Sequence, residues 1–362
     1  MAEAAAAQSV SEQAREVAES VRIQRFHENV AERWDDFVRA QPRGTFFHQA
    51  GWKRVVEKTF GYQPCYFYAE RGGSMSGVAP VFSISNWIVG HCLISVPFAA
   101  YGGVCAADAE SEQALLSHLT QLATARQVEY LELRNRDGGL LDGFHRNPRY
   151  ATFTMPLHAD PPAIFASLPK DIRYMIRKGE KAGLQVRRGF DQLDDFYRLF
   201  ALNMQRHGTP VFSQRYLENL LEEFPKQIDL MLVYSNARPV AGAMSFLFRD
   251  TMQPYYVGAA PEARTLAAND FMWWELIQYA AITGKRCFDF GRSKKDTGSY
   301  AFKKKWKPEI ESLDYQAYLV RRKSVPNFSP ANRKFEWATQ VWKRMPLGLT
   351  RLFGPHVVRW FP

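Results

Sequence analysis

Residues 65–134 and 229–290 pass through one order of elements: strand, turn, strand, strand, loop, helix, strand. The first passage reads as strand 65–70, a Gly72-Gly73 turn, strands 77–84 and 92–98, and the pair Gly102-Gly103. Helix 111–126 follows, with Leu115, Leu116, Leu119 and Leu122 on one stripe, and strand 128–134 closes the set. The second reads as strand 229–235, turn Asn236-Ala237-Arg238, strands 240–248 and 253–259, a loop containing Arg264, helix 269–283 and strand 286–290. What repeats is architecture rather than letters, and helices precede each passage. The order predicts two similar α+β domains, 21–158 and 159–325, divided where Pro156, Pro161 and Pro162 cluster. An alanine-rich extension (1–20) precedes them and a basic segment (326–362) follows.

A charge-free run tests this reading. Gly72 to Ala107 contains no Asp, Glu, Lys or Arg, long enough to suggest a membrane span. Gly77, Pro80, Gly90, Pro97, Gly102 and Gly103 cut it into strand-length pieces, so it predicts buried strands. Residues 1–20 carry four acids, one arginine and no apolar core segment, unlike a signal peptide. Cys65, Cys92, Cys105 and Cys287 show no CxxC or Cys/His metal spacing, and read as reduced, buried thiols of a cytoplasmic protein. No histidine constellation supports a catalytic cysteine, and no metal, flavin, PLP or nucleoside-triphosphate motif is visible.

The net charge of +10 favours polyanionic partners: nucleic acid, phosphorylated substrates or an acidic membrane face. Three segments concentrate the cations. Helix 171–182 holds Arg173, Arg177, Lys178 and Lys181, which suit either an anionic substrate or a solvated face. The stretch 287–308, CFDFGRSKKDTGSYAFKKKWKP, is an apolar strand with one acid, then a glycine, then cations interleaved with aromatics. It suits a phosphate-like ligand or a solvated basic loop. From Pro330 onward six cations and one acid surround Phe335, Trp337, Val341, Trp342 and Met345, four of them cores of one helical face with Ala338. That pattern suits a helix on a membrane surface or one packed on its own domain.

The residues Arg206-His207-Gly208-Thr209-Pro210, Tyr255-Tyr256-Val257-Gly258, Phe288-Asp289-Phe290-Gly291-Arg292-Ser293 and Ser299-Tyr300-Ala301-Phe302-Lys303 resemble the FemAB-like branch of the GNAT superfamily. The likeness is to the FemAB family proteins of PEP-CTERM/exosortase systems and exopolysaccharide clusters, from about residue 23 onward. The resemblance implies two tandem GNAT domains with the substrate in a cleft between them. Relatives in the wider family transfer an amino acid from aminoacyl-tRNA to an amine of a peptidoglycan precursor. This chain lacks the helical-hairpin insertion some of them carry, and has Val56, between Lys53 and Lys58, where some have a substrate-binding lysine.

The resemblance implies that Lys303 stabilises the oxyanion of acyl transfer, with Phe302 beside it, and that Arg177 and Lys178 grip an anionic substrate. Tyr256 is a candidate donor to the carbonyl or a core tyrosine. His207, next to Arg206, is a candidate general base or a helix-end histidine. Asp289, in so apolar a strand, requires a partner, with Arg292 or Lys303 the candidates. Arg292 and Tyr300 complete the substrate-binding set. Acyl-CoA-dependent GNAT enzymes show a [Gln/Arg]-x-x-Gly-x-[Gly/Ala] loop. Here it reads Arg264-Thr265-Leu266-Ala267-Ala268-Asn269, with Asn269 or Asp270 the expected helix cap.

The expectation is an N-acyltransferase acting on a phosphate-bearing cell-envelope or exopolysaccharide precursor. It binds no resident cofactor and takes acyl-CoA or aminoacyl-tRNA as co-substrate. It is cytoplasmic or peripheral at the inner membrane face through 330–362, without DNA as a partner. An acyl-CoA-dependent acetyltransferase on a small molecule or sugar nucleotide is one alternative. A non-catalytic membrane-surface or nucleic-acid-binding protein is the other.

Overall fold

The structure, a computed structural model, describes residues 20–136, 139–157, 160–325 and 333–362. The expected extension at 1–19 lies outside the described residues. The chain divides into two units. One reaches Asn147 and includes Asp314–Val325; the other holds Pro148–Leu313 and the C-terminal helices.

In the first unit, β1 (Arg22–Arg25), α1 (Ala31–Ala40), α2 (Ala50–Phe60), β2 (Gln63–Arg71), β3 (Ser74–Asn86), β4 (Gly90–Ser95), β5 (Cys105–Ala106), α3 (Ala109–Ala125) and β6 (Tyr130–Leu133) follow in order. The sheet runs β1-β2-β3-β4-β6, and β4 and β6 are parallel through Leu93↔Leu131 and Ile94↔Glu132. Residues Gln316–Leu319 return to pair antiparallel with β6. Asp108 starts α3 by accepting the Ser111 N–H at 2.8 Å. Leu115, Leu116 and Leu119 of α3 then pack on Cys65, Ala69, Val81 and Leu131. The other face of β2 and β3 carries Tyr66 and Phe82, with Trp34 stacked on Tyr66 at 5.4 Å. Both faces of the sheet are covered, so its strands need no charge, and the run 72–107 has none.

The second unit takes β7 (His145–Pro156) from Pro148 onward. Then come α4 (Pro161–Ser167), α5 (Lys170–Lys181), β8 (Gln185–Arg188), α6 (Leu193–His207), α7 (Gln214–Glu223), β9 (Ile228–Ser235), β10 (Arg238–Phe248) and β11 (Thr251–Ala259). They are followed by α8 (Ala268–Ile282), β12 (Cys287–Asp289), β13 (Ser293–Lys294), α9 (Gly298–Lys304), β14 (Glu309–Leu319, which belongs to the first unit from Asp314 onward), α10 (Arg333–Arg344) and α11 (Leu347–Val358). The sheet order is β7-β12-β11-β10-β9-β8. The division at 147/148 falls before the prolines that suggested 158/159. Pro156 ends β7 and Pro161-Pro162 open α4, so these prolines punctuate elements.

Helix α8 covers one face of this sheet, burying Phe271, Met272, Leu276 and Ile277 among Met231, Val233, Met252 and Phe288. Helix α6 covers the other. It lies so close to β11 that a Cβ on Gly258 would fall 2.5 Å from the Phe200 nitrogen, and only glycine permits the approach. The C-terminal helices pack on this unit as well. Thr350, Gly354 and Val358 of α11 are buried, and the Arg351 guanidinium sits 5.1 Å over the Tyr197 ring of α6. The side chain of Phe335 lies outside the described residues. Among the described residues no helix is long and apolar enough to cross a membrane.

Candidate active site

Strands β11 and β12 run parallel for two residue pairs, Thr251↔Cys287 and Met252↔Phe288. Asp289 ends β12 at 2% exposure, and neutral donors surround it. Its Oδ1 accepts the Gly291 N–H at 2.7 Å and the Thr152 hydroxyl at 3.2 Å. Its Oδ2 accepts the Gln253 amide at 3.1 Å. Gly291 turns the chain with φ of 72° and points its carbonyl, with that of Arg292, at Lys303. Thr297 accepts the Tyr300 N–H at 3.4 Å to start α9, and the helix delivers Lys303 one turn later. The stretch after Asp296 is thus a short helix, not the glycine turn and loop expected from its sequence.

Lys303 Nζ donates to the Gly291 carbonyl at 2.9 Å and the Arg292 carbonyl at 3.0 Å, and lies 5.6 Å over the Phe153 ring. Burial pulls its pKa down to about 7, with Arg292 adding to the fall and Asp289 opposing it. An ammonium in this position uses two of its three hydrogens on the carbonyls and keeps one to donate. The neutral amine commits both hydrogens and presents its lone pair. Tyr300 packs on Phe153 at 5.1 Å and Phe302 on Trp273 at 6.2 Å, while the Arg292 guanidinium lies 5.0 Å over Tyr150. The Ser293 hydroxyl next in sequence is buried and has no hydrogen-bond partner among the described residues.

The other expected residues lie elsewhere in this unit. Tyr256 is buried in a cluster with Phe200, Phe212, Tyr216 and Phe246, and its hydroxyl meets that of Tyr216 at 2.8 Å. Burial raises its pKa well above the usual value, with Arg292 the charge that opposes the rise. That is the core reading of Tyr256. His207 is the last residue of α6, before Gly208 at φ 71°. Burial, Arg206 and Lys343 lower its pKa, and among the described residues no carboxylate orients it as a base would require. Arg206 donates to the Ala259 carbonyl at 3.3 Å. Arg177 and Lys178 are exposed on α5, the Arg177 guanidinium 5.5 Å over Phe165. With Lys170, Tyr174 and Lys181 they form one exposed stripe.

The helix cap is a correction. Ala267, at φ 56°, precedes α8 without a side-chain cap, and its carbonyl takes the Phe271 N–H. Asn269 and Asp270 lie inside the first turn, and Arg264 is exposed at the end of the preceding 3-10 turn. Burial raises the Asp270 pKa, with Lys305 opposing the rise. Sequence reading missed Thr152, Phe153 and Gln253. The available signal was polar Gln253 in the mostly apolar β11, since a buried acid requires such donors, whereas Thr152 lies in a strand that also holds Arg149 and Thr154 and so does not stand out. Among the described residues no group of three or more His, Cys, Asp or Glu side chains is placed to hold a metal.

Residues 166–304 match the model of the family described as acetyltransferase (GNAT) domain. The fold resembles the crystal structure of FemX, with a TM-score of 0.65 at 16% identity, covering 82% of this chain and 98% of that one. It also resembles a protein described as the C-terminal domain of a lysylphosphatidylglycerol synthetase from Agrobacterium fabrum (TM-score 0.56, 14% identity, 82% and 92% covered). A tandem GNAT protein of the clavulanic acid biosynthesis pathway matches with a TM-score of 0.51 at 11% identity, over 84% and 100% of the two chains. No curated protein matches. The chain therefore has the tandem GNAT fold, and the residues that match the family model lie in its second unit.

Proposed function

We propose that the chain is an N-acyltransferase that moves an aminoacyl or acyl group onto an amine of a phosphate-bearing cell-envelope or exopolysaccharide precursor. The observation that carries this reading is Lys303, a partly buried amine anchored by two carbonyls with its pKa drawn to about 7. The acceptor nitrogen attacks the donor carbonyl carbon, and the carbonyl electrons move onto oxygen. The third hydrogen of the Lys303 ammonium stabilises that oxyanion. Collapse breaks the bond to the donor's oxygen or sulfur, and the proton lost by the amine neutralises the leaving group. Arg292, Arg177 and Lys178 supply cations for the acceptor's phosphate.

The start of α8 favours an aminoacyl ester over an acyl-CoA as donor. Ala267, where the acyl-CoA loop has glycine, is buried with its N–H given to the Arg264 carbonyl, and a pyrophosphate at this helix start would meet the Asp270 carboxyl in the first turn. The matched acetyltransferase domain supports acyl-CoA as the second reading. Calorimetric titration with acetyl-CoA separates them: no binding heat is expected, and micromolar binding would move the donor to acyl-CoA.

The decisive variant is Lys303→Ala. Transfer falls about 10²–10³-fold in kcat, the loss typical of removing one oxyanion donor, while circular dichroism stays that of the wild type. Wild-type turnover in that variant would end the proposed role. The acceptor is identified by mass spectrometry of envelope and polysaccharide precursors from a deletion strain, as the species lacking an acyl or aminoacyl increment.

A further inference from the structure

Helix α11 presents its residues to the protein in an unusual order of size. Its inward face is Thr350, Gly354 and Val358, and Gly354 lies so near the α6–α7 connection that a Cβ would fall 2.8 Å from the Val211 carbonyl. Its outward face is Leu349, Leu352 and Phe353, with Leu352 at 61% exposure and Phe353 at 49%. The same side continues to His356 and Arg359 at the following turns. On α10, Trp337 is 78% exposed, and Val341, also exposed, stands one turn further on. Large apolar side chains in water oppose folding, and a helix that served only to pack on its own unit would bury them.

The charges from residue 333 onward are mostly of one sign, six cations against the single acid Glu336. Lys343, Arg344, Arg351 and Arg359 fall within residues 337–362, and that segment contains no Asp or Glu. Each helix is 12 residues long, too short to cross a bilayer. Short helices with exposed Trp, Leu and Phe beside an excess of cations have the chemistry of elements that lie in the headgroup region of an anionic bilayer. Membrane and own-domain packing were alternatives for this segment in the sequence. The structure assigns them to opposite faces of α11, the small face inward and the large face outward.

We infer that α10 and α11 dock the protein on an anionic lipid surface through Trp337, Val341, Leu349, Leu352 and Phe353, with the flanking cations steering the approach. This goes beyond acyl transfer and stands independently of it. Flotation of the full-length chain with vesicles tests it. The wild type is expected to float with mixed phosphatidylglycerol–phosphatidylcholine vesicles and to remain below with phosphatidylcholine alone. Leu352→Glu with Phe353→Glu is expected to lower the bound fraction at least about tenfold with an unchanged thermal melt. Brominated lipids are expected to quench tryptophan fluorescence, and Trp337→Phe to remove most of that quenching. Absence of flotation, flotation kept by the double variant, or quenching kept by Trp337→Phe would each overturn the inference. A concentration-dependent dimer that the double variant dissolves, without vesicle binding, would overturn it in favour of a second copy of the chain.

Discussion

Each unit has a buried acid near the end of a strand that pairs parallel with its neighbour, Glu132 of β6 and Asp289 of β12, and the two are treated differently. In the first, Glu132 of β6 pairs with Arg134 two residues on, Nε to Oε1 at 2.8 Å. Both are over nine-tenths buried, and Arg134 also donates to the Val96 and Ala99 carbonyls at 3.4 Å. In the second, Asp289 ends β12, and two residues on stands Gly291, whose N–H is the partner. An arginine in one unit is thus a glycine in the other. The first arrangement neutralises its charge internally. The second satisfies the carboxylate with neutral donors and leaves a cationic partner, Lys303, turned to two carbonyls with one hydrogen to spare. The residue two after the acid, arginine in one unit and glycine in the other, sets whether the carboxylate meets a charge or a backbone N–H.

The largest effect expected from this contrast is in stability. Arg134→Met strands the Glu132 carboxylate in the core and costs about 3–5 kcal/mol, the usual penalty for breaking a buried pair from one side. Lys303→Met removes a desolvated cation whose neighbouring acid keeps its neutral donors, so it leaves the fold at least as stable at neutral pH. Urea midpoints of the three proteins measure both. Equal destabilisation by the two substitutions would break the comparison.

Much of the fold was legible because its strands are buried on both faces. The charge-free run 72–107, cut by glycine and proline, located β3 and β4, apolar segments between turns located β2 and β9–β11, and the leucine stripe located α3. Helix α9 was not legible, since a helix of seven residues shows no periodicity and its signal is a single capping threonine. The return of Gln316–Leu319 to β6 depends on a pairing between residues far apart in sequence. The site divides the same way. Lys303 and Asp289 stand in one readable motif, whereas Thr152 lies 137 residues from the acid it serves and Gln253 lies 36. Ala267 in the left-handed region displaced the expected cap because nothing in the letters marks a non-glycine residue for that conformation.

A smaller effect is expected at Gly291. A Cβ there meets no heavy atom closer than 3.8 Å, so space permits alanine. The backbone does not, since φ of 72° costs a non-glycine residue about 1–2 kcal/mol. Gly291→Ala is expected to lower the melting temperature by about 2–5 °C and kcat about tenfold, because relaxation of φ withdraws a carbonyl that anchors Lys303. Melting and initial-rate measurements on one preparation decide this. Loss of stability with full kcat would mean that the turn shapes the fold without positioning the amine.

The smallest effect, and the one that isolates the amine, is the pH dependence of the stability difference between Lys303→Met and the wild type. In the unfolded chain Lys303 titrates near its ordinary value of 10.5, and in the folded chain near about 7. Below about 7 both states hold the proton, and the folded wild type bears the full cost of a desolvated ammonium. Between the two values the unfolded state binds a proton that the folded state does not, so wild-type stability rises with pH. Above 10.5 both are neutral and the cost is gone. The melting temperature of Lys303→Met is therefore expected to exceed that of the wild type by a constant margin below pH 7, and the margin to shrink from pH 7 towards 10.5. Water still reaches the partly buried side chain, which keeps the margin small. Arg134→Met offers the contrast, because the guanidinium it removes does not titrate in this range. Scanning calorimetry across the window distinguishes the two cations: a flat margin for Lys303→Met would place its amine at an ordinary pKa and remove the chemical difference between the two strand ends.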